Sequence, residues 1–241
     1  MFLPELTKYY KDNGILSTHF NCPYKKICKG DNKKFYGPKS SYVSIGYEKE
    51  ELPKLLFLSL DPGASKKDYI KRLPKSVREI EENRNVNELP KNRHWYKTHE
   101  LAYYILSQFK DDLTIENAKY YFAHVNSVKC SANNPNHKQA RKILFNNCRN
   151  YILDELLLLD PDIIITQGLQ AKKSIEKLVL KKPINPNQYY YIIELNEKKV
   201  FWLHTYHPSN YGAFNKQYRK GKGFERYSKI IYKWYCNNKN A

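Results

Sequence analysis

The chain has 241 residues, with 42 Lys and Arg against 24 Asp and Glu, a formal charge of +18. That length suits one sizeable α/β domain, and so basic a balance points to a polyanionic partner, most often nucleic acid. No stretch approaches the roughly 18 apolar residues that span a bilayer, and the opening MFLPELTKYYKDNG lacks the layout of a secretory signal, so the expectation is a cytoplasmic monomer without membrane contact. A surface simply rich in Lys, Asn and Tyr would give the same composition without a partner.

In chain order, residues 1–50 read as polar, with the loop-forming KGDNKKFYGPKS and two cysteines, Cys22 and Cys28. KLLFLSL (54–60) is short and continuously apolar, a strand that runs into Asp61, Pro62 and Gly63. Residues 61–98 read mostly as loop. THELAYYILSQF reads as a helix with Thr98 at its N-cap. YYFAHVNSV (120–128) is a second strand, and HKQARKILFNNCRNYILDELLLLD a long amphipathic helix. PDIIITQG is a third strand, turning at Gly168 into the helix LQAKKSIEKLVL. YYYIIELNEKKVFWLHTYH reads as a hairpin turned at Asn196-Glu197, its second arm the fourth main strand. The basic, aromatic tail ends as a helix. Strands alternating with helices predict a three-layer α/β/α sandwich around a mostly parallel four-stranded sheet. A single domain over 1–241 is expected, with an N-terminal segment (1–50) and a basic DNA-facing tail (210–241).

In such sheets the site lies beyond the carboxyl ends of the strands. The predicted ends are Asp61, Asn126, Gly168 and His207, three of them chemically capable. SLDPG, HVNSVKC and HTYHPSNYG, in that order, resemble the motifs of the uracil-DNA glycosylase superfamily. The resemblance spans residues 55–215 and is sparse between motifs. Carried over by position, it implies that Asp61 activates water, Asn126 reads the base and His207 assists the departing base. These residue types fit the reaction. Breaking an N-glycosidic bond develops positive charge on the sugar, which a carboxylate stabilises. Negative charge develops on the base, which an imidazole can hydrogen-bond. An amide offers one donor and one acceptor to a pyrimidine edge. Taken singly, Asp-Pro-Gly is a common turn, and Asn126 and His207-Pro208 serve equally as structural caps and loops.

Five cysteines in a reducing compartment suit metal ligation better than disulfides. Cys22, Cys28, Cys130 and Cys148 resemble the cysteines of the iron–sulfur branch of that superfamily, which implies a [4Fe–4S] cluster; four thiolates would also suit Zn²⁺. Cys236 is left free. Two features depart from that branch: the first pair is spaced C-x5-C, and Asp61 stands before Pro62 where the branch has no carboxylate. Gly63 replaces the aromatic residue that, in strict uracil enzymes, closes the space at pyrimidine C5, so a 5-substituent is not excluded there.

The resemblance further implies an aromatic partner for a flipped base, for which Trp95 is chosen from Tyr69, His94, Trp95 and Tyr96. It implies a wedge four residues beyond the histidine, at Tyr211. Lys216, Arg219, Lys220 and Lys222 are candidate phosphate contacts. The long stretch 64–98 is a candidate pocket wall or DNA-facing insertion. The expected function is a monofunctional, metal-independent DNA glycosylase acting on uracil or a 5-substituted pyrimidine, in base-excision repair or in antiviral defence against modified foreign DNA. Two rivals are a cysteine-cluster nuclease using Asp162, Glu197 and Lys199, and a non-catalytic DNA-binding module.

Overall fold

The computed structural model describes residues 2–17, 19–31, 35–62, 68–132, 140–176, 189–217 and 222–239. The N-terminal part carries helix α1 (Phe2–Asp12), α2 (Lys25–Lys29), strand β1 (Phe35–Pro38), β2 (Tyr42–Val43) and α3 (Ile45–Glu48). Next come β3 (Leu55–Ser59), α4 (Pro74–Glu82), α5 (His94–Leu106) and β4 (Phe122–Asn126). β5 (Cys130–Ala132), α6 (Lys142–Leu159), β6 (Ile163–Gln167) and α7 (Leu169–Glu176) follow. The chain then forms β7 (Tyr190–Leu195), β8 (Lys198–Thr205), α8 (Tyr211–Lys216) and α9 (Gly223–Lys239). No helix among the described residues is long and apolar enough to cross a membrane.

Six strands form the main sheet in the order β2-β4-β3-β6-β8-β7. The central four are parallel, whereas β2 and β7 run antiparallel at the edges. The sheet therefore has six strands rather than the expected four. The additions are the first arm of the predicted hairpin and the two-residue β2. β1 and β5 pair separately. The β7–β8 turn lies at Asn196 and Glu197, both at positive φ (49° and 63°), the geometry whose twist matches a tight hairpin.

The central strands are apolar throughout because both faces are covered. Alternation along each strand divides them between two cores. Leu56, Leu58, Ala123, Val125 and Ile164 pack with α1, α6 and α7. Leu55, Phe57, Phe122, Ile163, Ile165, Phe201 and Leu203 pack with α4, α5, α8 and α9. Between β3 and α5, the expected loop contains a short 3₁₀ turn (Ile70–Arg72) and α4, whose Pro74 occupies the first turn, where a missing N–H costs nothing. α5 begins four residues before Thr98, which is not its N-cap; inside the helix, the Thr98 hydroxyl donates to the His94 carbonyl at 3.0 Å.

At the amino edge of the sheet, Asp162 accepts from the Lys54 amide at 2.8 Å and pairs with Lys198 at 2.8 Å. It lies at the sheet edge opposite the strand ends Ser59 and Asn126 and is occupied by structural bonds, which removes the basis for the nuclease reading.

A second ion pair is fully buried. Lys129 Nζ lies 2.8 Å from Glu155 Oε2, which also accepts from Ser41 Oγ at 2.5 Å. The Ser41 amide in turn donates to the Tyr10 hydroxyl at 3.0 Å. Burial opposes the Lys129 ammonium, but the Glu155 carboxylate, with Tyr10 and Cys148 adding to it, raises the pKa on balance. Glu155→Ala strands that ammonium and is expected to cost about 3–5 kcal/mol in a urea melt, with Lys129→Met combined with Glu155→Leu recovering most of it. A loss below about 1 kcal/mol in the single variant would contradict a structural role for the pair.

Candidate active site

Alternation along the strands has a consequence at their carboxyl ends. Ser59, Asn126, Gln167 and Thr205, the last residues of β3, β4, β6 and β8, share parity with the residues facing α5. A polar network occupies that corner. His124 Nε2 donates to Ser59 Oγ at 2.8 Å, and Ser59 Oγ donates to Gln167 Oε1. Gln167 Nε2 donates to Thr98 Oγ1 at 3.1 Å and to the Tyr211 hydroxyl at 2.8 Å. Tyr211 continues to Thr205 Oγ1 at 3.0 Å.

Above this network a cavity of about 240 Å³ opens. Asp61 and Pro62 enter it from β3, His124 and Asn126 from β4, and His94 and Trp95 from the start of α5. Val77, Glu81 and Arg84 form a wall from α4 and its end, and Lys39, Ser40 and Tyr42 close the side toward β2. The Trp95 ring stands edge-on to His124 at 4.8 Å. His94 bridges to His207, with ring centroids 5.6 Å apart. Asp61 Oδ2 accepts from the Ala140 amide at 3.3 Å.

The histidines here are held neutral. Burial takes His94 down to about 4, with His207 adding to the shift and a hydrogen bond to Gln167 opposing it. Burial likewise depresses His124 well below the ordinary value. His207 is lowered by burial and pushed back by the Asp61 carboxylate, so those two groups sense each other. The Ser209 amide donates to His207 Nδ1 at 3.3 Å, which leaves the proton of the neutral ring on Nε2.

Asp61, Asn126 and Trp95 thus meet in one cavity, and His207 joins it through His94. The sequence profile of the uracil DNA glycosylase superfamily matches residues 45–233. The chain belongs to that superfamily. Comparison with curated proteins returns no match. The superfamily match contains Asp61, Trp95, Asn126, His207, Cys130 and Cys148, and begins after Cys22 and Cys28.

The expected superfamily wedge at Tyr211 is corrected. Tyr211 is 1% exposed, packs edge-on against Phe224 at 5.0 Å and commits its hydroxyl to Gln167 and Thr205. It holds the rim rather than facing DNA. Among the described residues, the exposed apolar side chain nearest in sequence to this corner is Leu169, which follows Gly168; a Cβ at Gly168 would sit 3.7 Å from that of His207. Lys216 is exposed, and Lys222 is exposed but paired with Glu225 at 3.0 Å. Gly63, Arg219 and Lys220 lie outside the described residues. The residues not anticipated are Gln167, His124 and the Lys39–Glu81–Arg84 wall. His124 was legible in FAHVN, two positions before Asn126 and so on the same face.

The four cysteines come from four segments, and Cys130 senses the other three electrostatically. Burial raises Cys28 and takes Cys148 up to about 12; it raises Cys130 well above the thiol range, where the Cys148, Cys22 and Cys28 thiols add to it. Polar donors reach three sulfurs: the Lys129 amide to Cys148 (3.5 Å), Asn147 Nδ2 to Cys28 (3.3 Å) and the Tyr151 hydroxyl to Cys22 (3.8 Å). The donor set suits a thiolate-bound metal or cluster. The side chains are not drawn together as a bound metal would draw them: among the described residues no three His, Cys, Asp or Glu groups converge on a metal position.

His99 is fully buried behind Trp95, donating from Nδ1 to the Trp95 carbonyl at 2.8 Å, with no partner for Nε2 among the described residues. Burial lowers its pKa from 6.5 to about 4. The unfolded chain therefore binds a proton between those values that the folded chain refuses. Its contribution is fully present above about 6.5 and is lost as pH falls toward 4, by about 3 kcal/mol for a shift of this size. His99→Leu is expected to flatten the pH dependence of folding stability in this window by up to one proton, measured by urea melts from pH 7.5 to 4. An unchanged slope would contradict a buried neutral imidazole.

Proposed function

We propose that this chain is a monofunctional DNA glycosylase that flips a pyrimidine nucleotide from DNA and hydrolyses its N-glycosidic bond. The observation carrying this reading is the single cavity that joins Asp61 and Asn126, from the ends of adjacent parallel strands, to His207 through His94. Superfamily membership supports it. The substrate is uracil or a 5-substituted pyrimidine, in base-excision repair or in defence against DNA with modified bases.

In this mechanism the DNA backbone is drawn to a strongly basic protein, and the extruded base enters the cavity. Asn126 presents its amide to the base edge, and Trp95 offers an aromatic edge to the ring. As the bond from C1′ to the base nitrogen breaks, the electron pair leaves with the base. The His207 Nε2–H then hydrogen-bonds the base oxygen where charge gathers. Asp61 orients a water toward C1′ and stabilises the cationic sugar. The neutral state of His207 matters, because a cation there would pair with Asp61 and weaken its field at the sugar.

Cys22, Cys28, Cys130 and Cys148 would hold a [4Fe–4S] cluster, whose contribution is to tie the N-terminal segment to the loop after β4 and to α6. Anaerobically purified protein is expected to be brown, with about four irons per chain; one zinc and no iron would replace the cluster with a zinc site.

Asp61→Asn keeps the shape and removes the charge. It should slow single-turnover base release about 10²–10³-fold, with DNA affinity little changed and EDTA without effect on the wild type. His207→Ala should slow the same step. Wild-type rates in Asp61→Asn would reduce SLDPG to a turn and favour a DNA-binding module without this chemistry.

A further inference from the structure

A buried cation near the cysteines has no carboxylate to balance it. Arg72 ends the 3₁₀ turn before α4 and is 6% exposed. None of the ion pairs among the described residues includes it, and its Nε has no partner there. Its Nη1 donates to the carbonyls of Tyr36 and, at 3.2 Å, Pro38. A guanidinium keeps its charge at any physiological pH, and two neutral carbonyls repay only part of the cost of burying it. Burial lowers the Arg72 pKa, against which Cys130 and then the exposed Asp68 act.

The guanidinium is placed opposite a cysteine. Pro38, one of the two residues it clasps, pairs with Cys130 across β1 and β5. Gly37, between the clasped carbonyls, has a φ of 78°. A Cβ there would lie 3.0 Å from Arg72 Nη1 and 2.6 Å from Phe20 Cε1, so the missing side chain is what admits the guanidinium to the strand. The Ser40 amide donates to the Arg72 carbonyl at 2.9 Å and fixes the turn from its other side. Two other cations stand near the cysteines, and each differs from Arg72. Lys129 is neutralised by Glu155. Arg141 is exposed and donates from Nη2 to the carbonyls of Ile27 at 3.1 Å and Cys28 at 2.7 Å.

Four thiolates carry more negative charge than either a zinc ion or an oxidised iron–sulfur core neutralises. Loading the cysteines with either would supply the opposite charge that Arg72 lacks. We propose that Arg72 is the buried counter-charge of the four-cysteine site, a positioning residue that retains a thiolate-bound metal or cluster through its charge. This rests on the reading of Cys22, Cys28, Cys130 and Cys148 as metal ligands and adds the residue that balances them.

The test is the rate at which the full chain, purified anaerobically, gives up its metal to an excess of a colorimetric chelator. Arg72→Lys keeps the charge and loses the fork; Arg72→Gln keeps a donor for the strand carbonyls and loses the charge. Metal is expected to leave Arg72→Gln about tenfold faster than the wild type, the scale of one partly screened charge contact, with Arg72→Lys close to the wild type. If the metal is an iron–sulfur cluster, Arg72→Gln should also make its reduction about tenfold less favourable, about 59 mV for a one-electron couple. An Arg72→Gln chain that fails to fold while Arg72→Lys folds and keeps its metal would agree with the same reading. Equal release from Arg72→Gln and the wild type would overturn the proposal and leave the metal site standing. Equally fast release from both variants, or failure of both to fold, would make the clasp on β1 structural and overturn it too. A wild-type chain that holds neither zinc nor iron, even after reconstitution with zinc or with iron and sulfide, would remove the metal site and the proposal together.

Discussion

The side-chain amide of Gln167 is the point on which the site's geometry depends. It is fully buried at the carboxyl end of β6, a central strand. An amide left unpaired there would cost about 1–3 kcal/mol, so its partners are held in place as firmly as it is. Those partners arrive from β3 (Ser59), α5 (Thr98 and His94) and α8 (Tyr211), and Ser59 extends the chain to His124 on β4. Each proposed functional group stands one or two residues from a member of this network. Asp61 follows Ser59, Asn126 follows His124, Trp95 follows His94, and His207 lies two beyond Thr205. The network therefore aligns the rim without occupying the positions where chemistry would take place.

A second anchor lies within five residues. Asn126 ends β4; the Ser127 hydroxyl then donates to the Ser59 carbonyl at 2.6 Å. Lys129 forms the buried ion pair with Glu155, and Cys130 enters the thiol pocket. This stretch has no freedom to shift one position, because each residue in turn has a different buried partner. The position of Asn126 is thereby tied to the N-terminal segment through Ser41 and Tyr10. A cluster in the cysteine pocket would stiffen the same stretch from its other end.

Local chemistry explains what was legible in the sequence. LLFLS could be read as a buried strand because a parallel strand covered on both faces must be apolar throughout. The Asn196-Glu197 turn followed from hairpin punctuation, and the rim residues Asp61, Asn126 and His207 followed from topology, since parallel strands deliver their ends to one edge. Features set by distant partners were not legible. β2 is two residues long and exists through its pairing with β4. α4 has only Pro74, Val77 and Glu81 buried, so a charged helix resembled a loop. α5 starts at His94, with Arg93 at the N-cap making no side-chain cap, which left Thr98 as the nearest false signal. Counting four residues from His207 located Tyr211 but could not tell that the 3₁₀ turn between them rotates its ring into the core. Gln167 looked like any polar residue before a glycine until three segments converged on it.

The distribution of charge follows from the same architecture. The chain carries a large positive excess, yet the imidazoles at the rim are depressed toward neutrality by burial. Long-range attraction for a polyanion is therefore supplied by the surface, where salt screens it. The groups proposed for recognition around Asp61 would act through hydrogen bonds that salt barely touches. Had the histidines been cationic, the His94 ring, within about 6 Å of both His124 and His207, would be repelled by each by several kcal/mol in a poorly solvated corner. They would also neutralise the carboxylate that the proposed chemistry needs. Burying these rings avoids both costs, because desolvation disfavours the charged form of each and a charge on His207 or His94 would further oppose protonation of the next ring. In that arrangement the negative field of Asp61 stays directed at the cavity, where a cationic sugar would form.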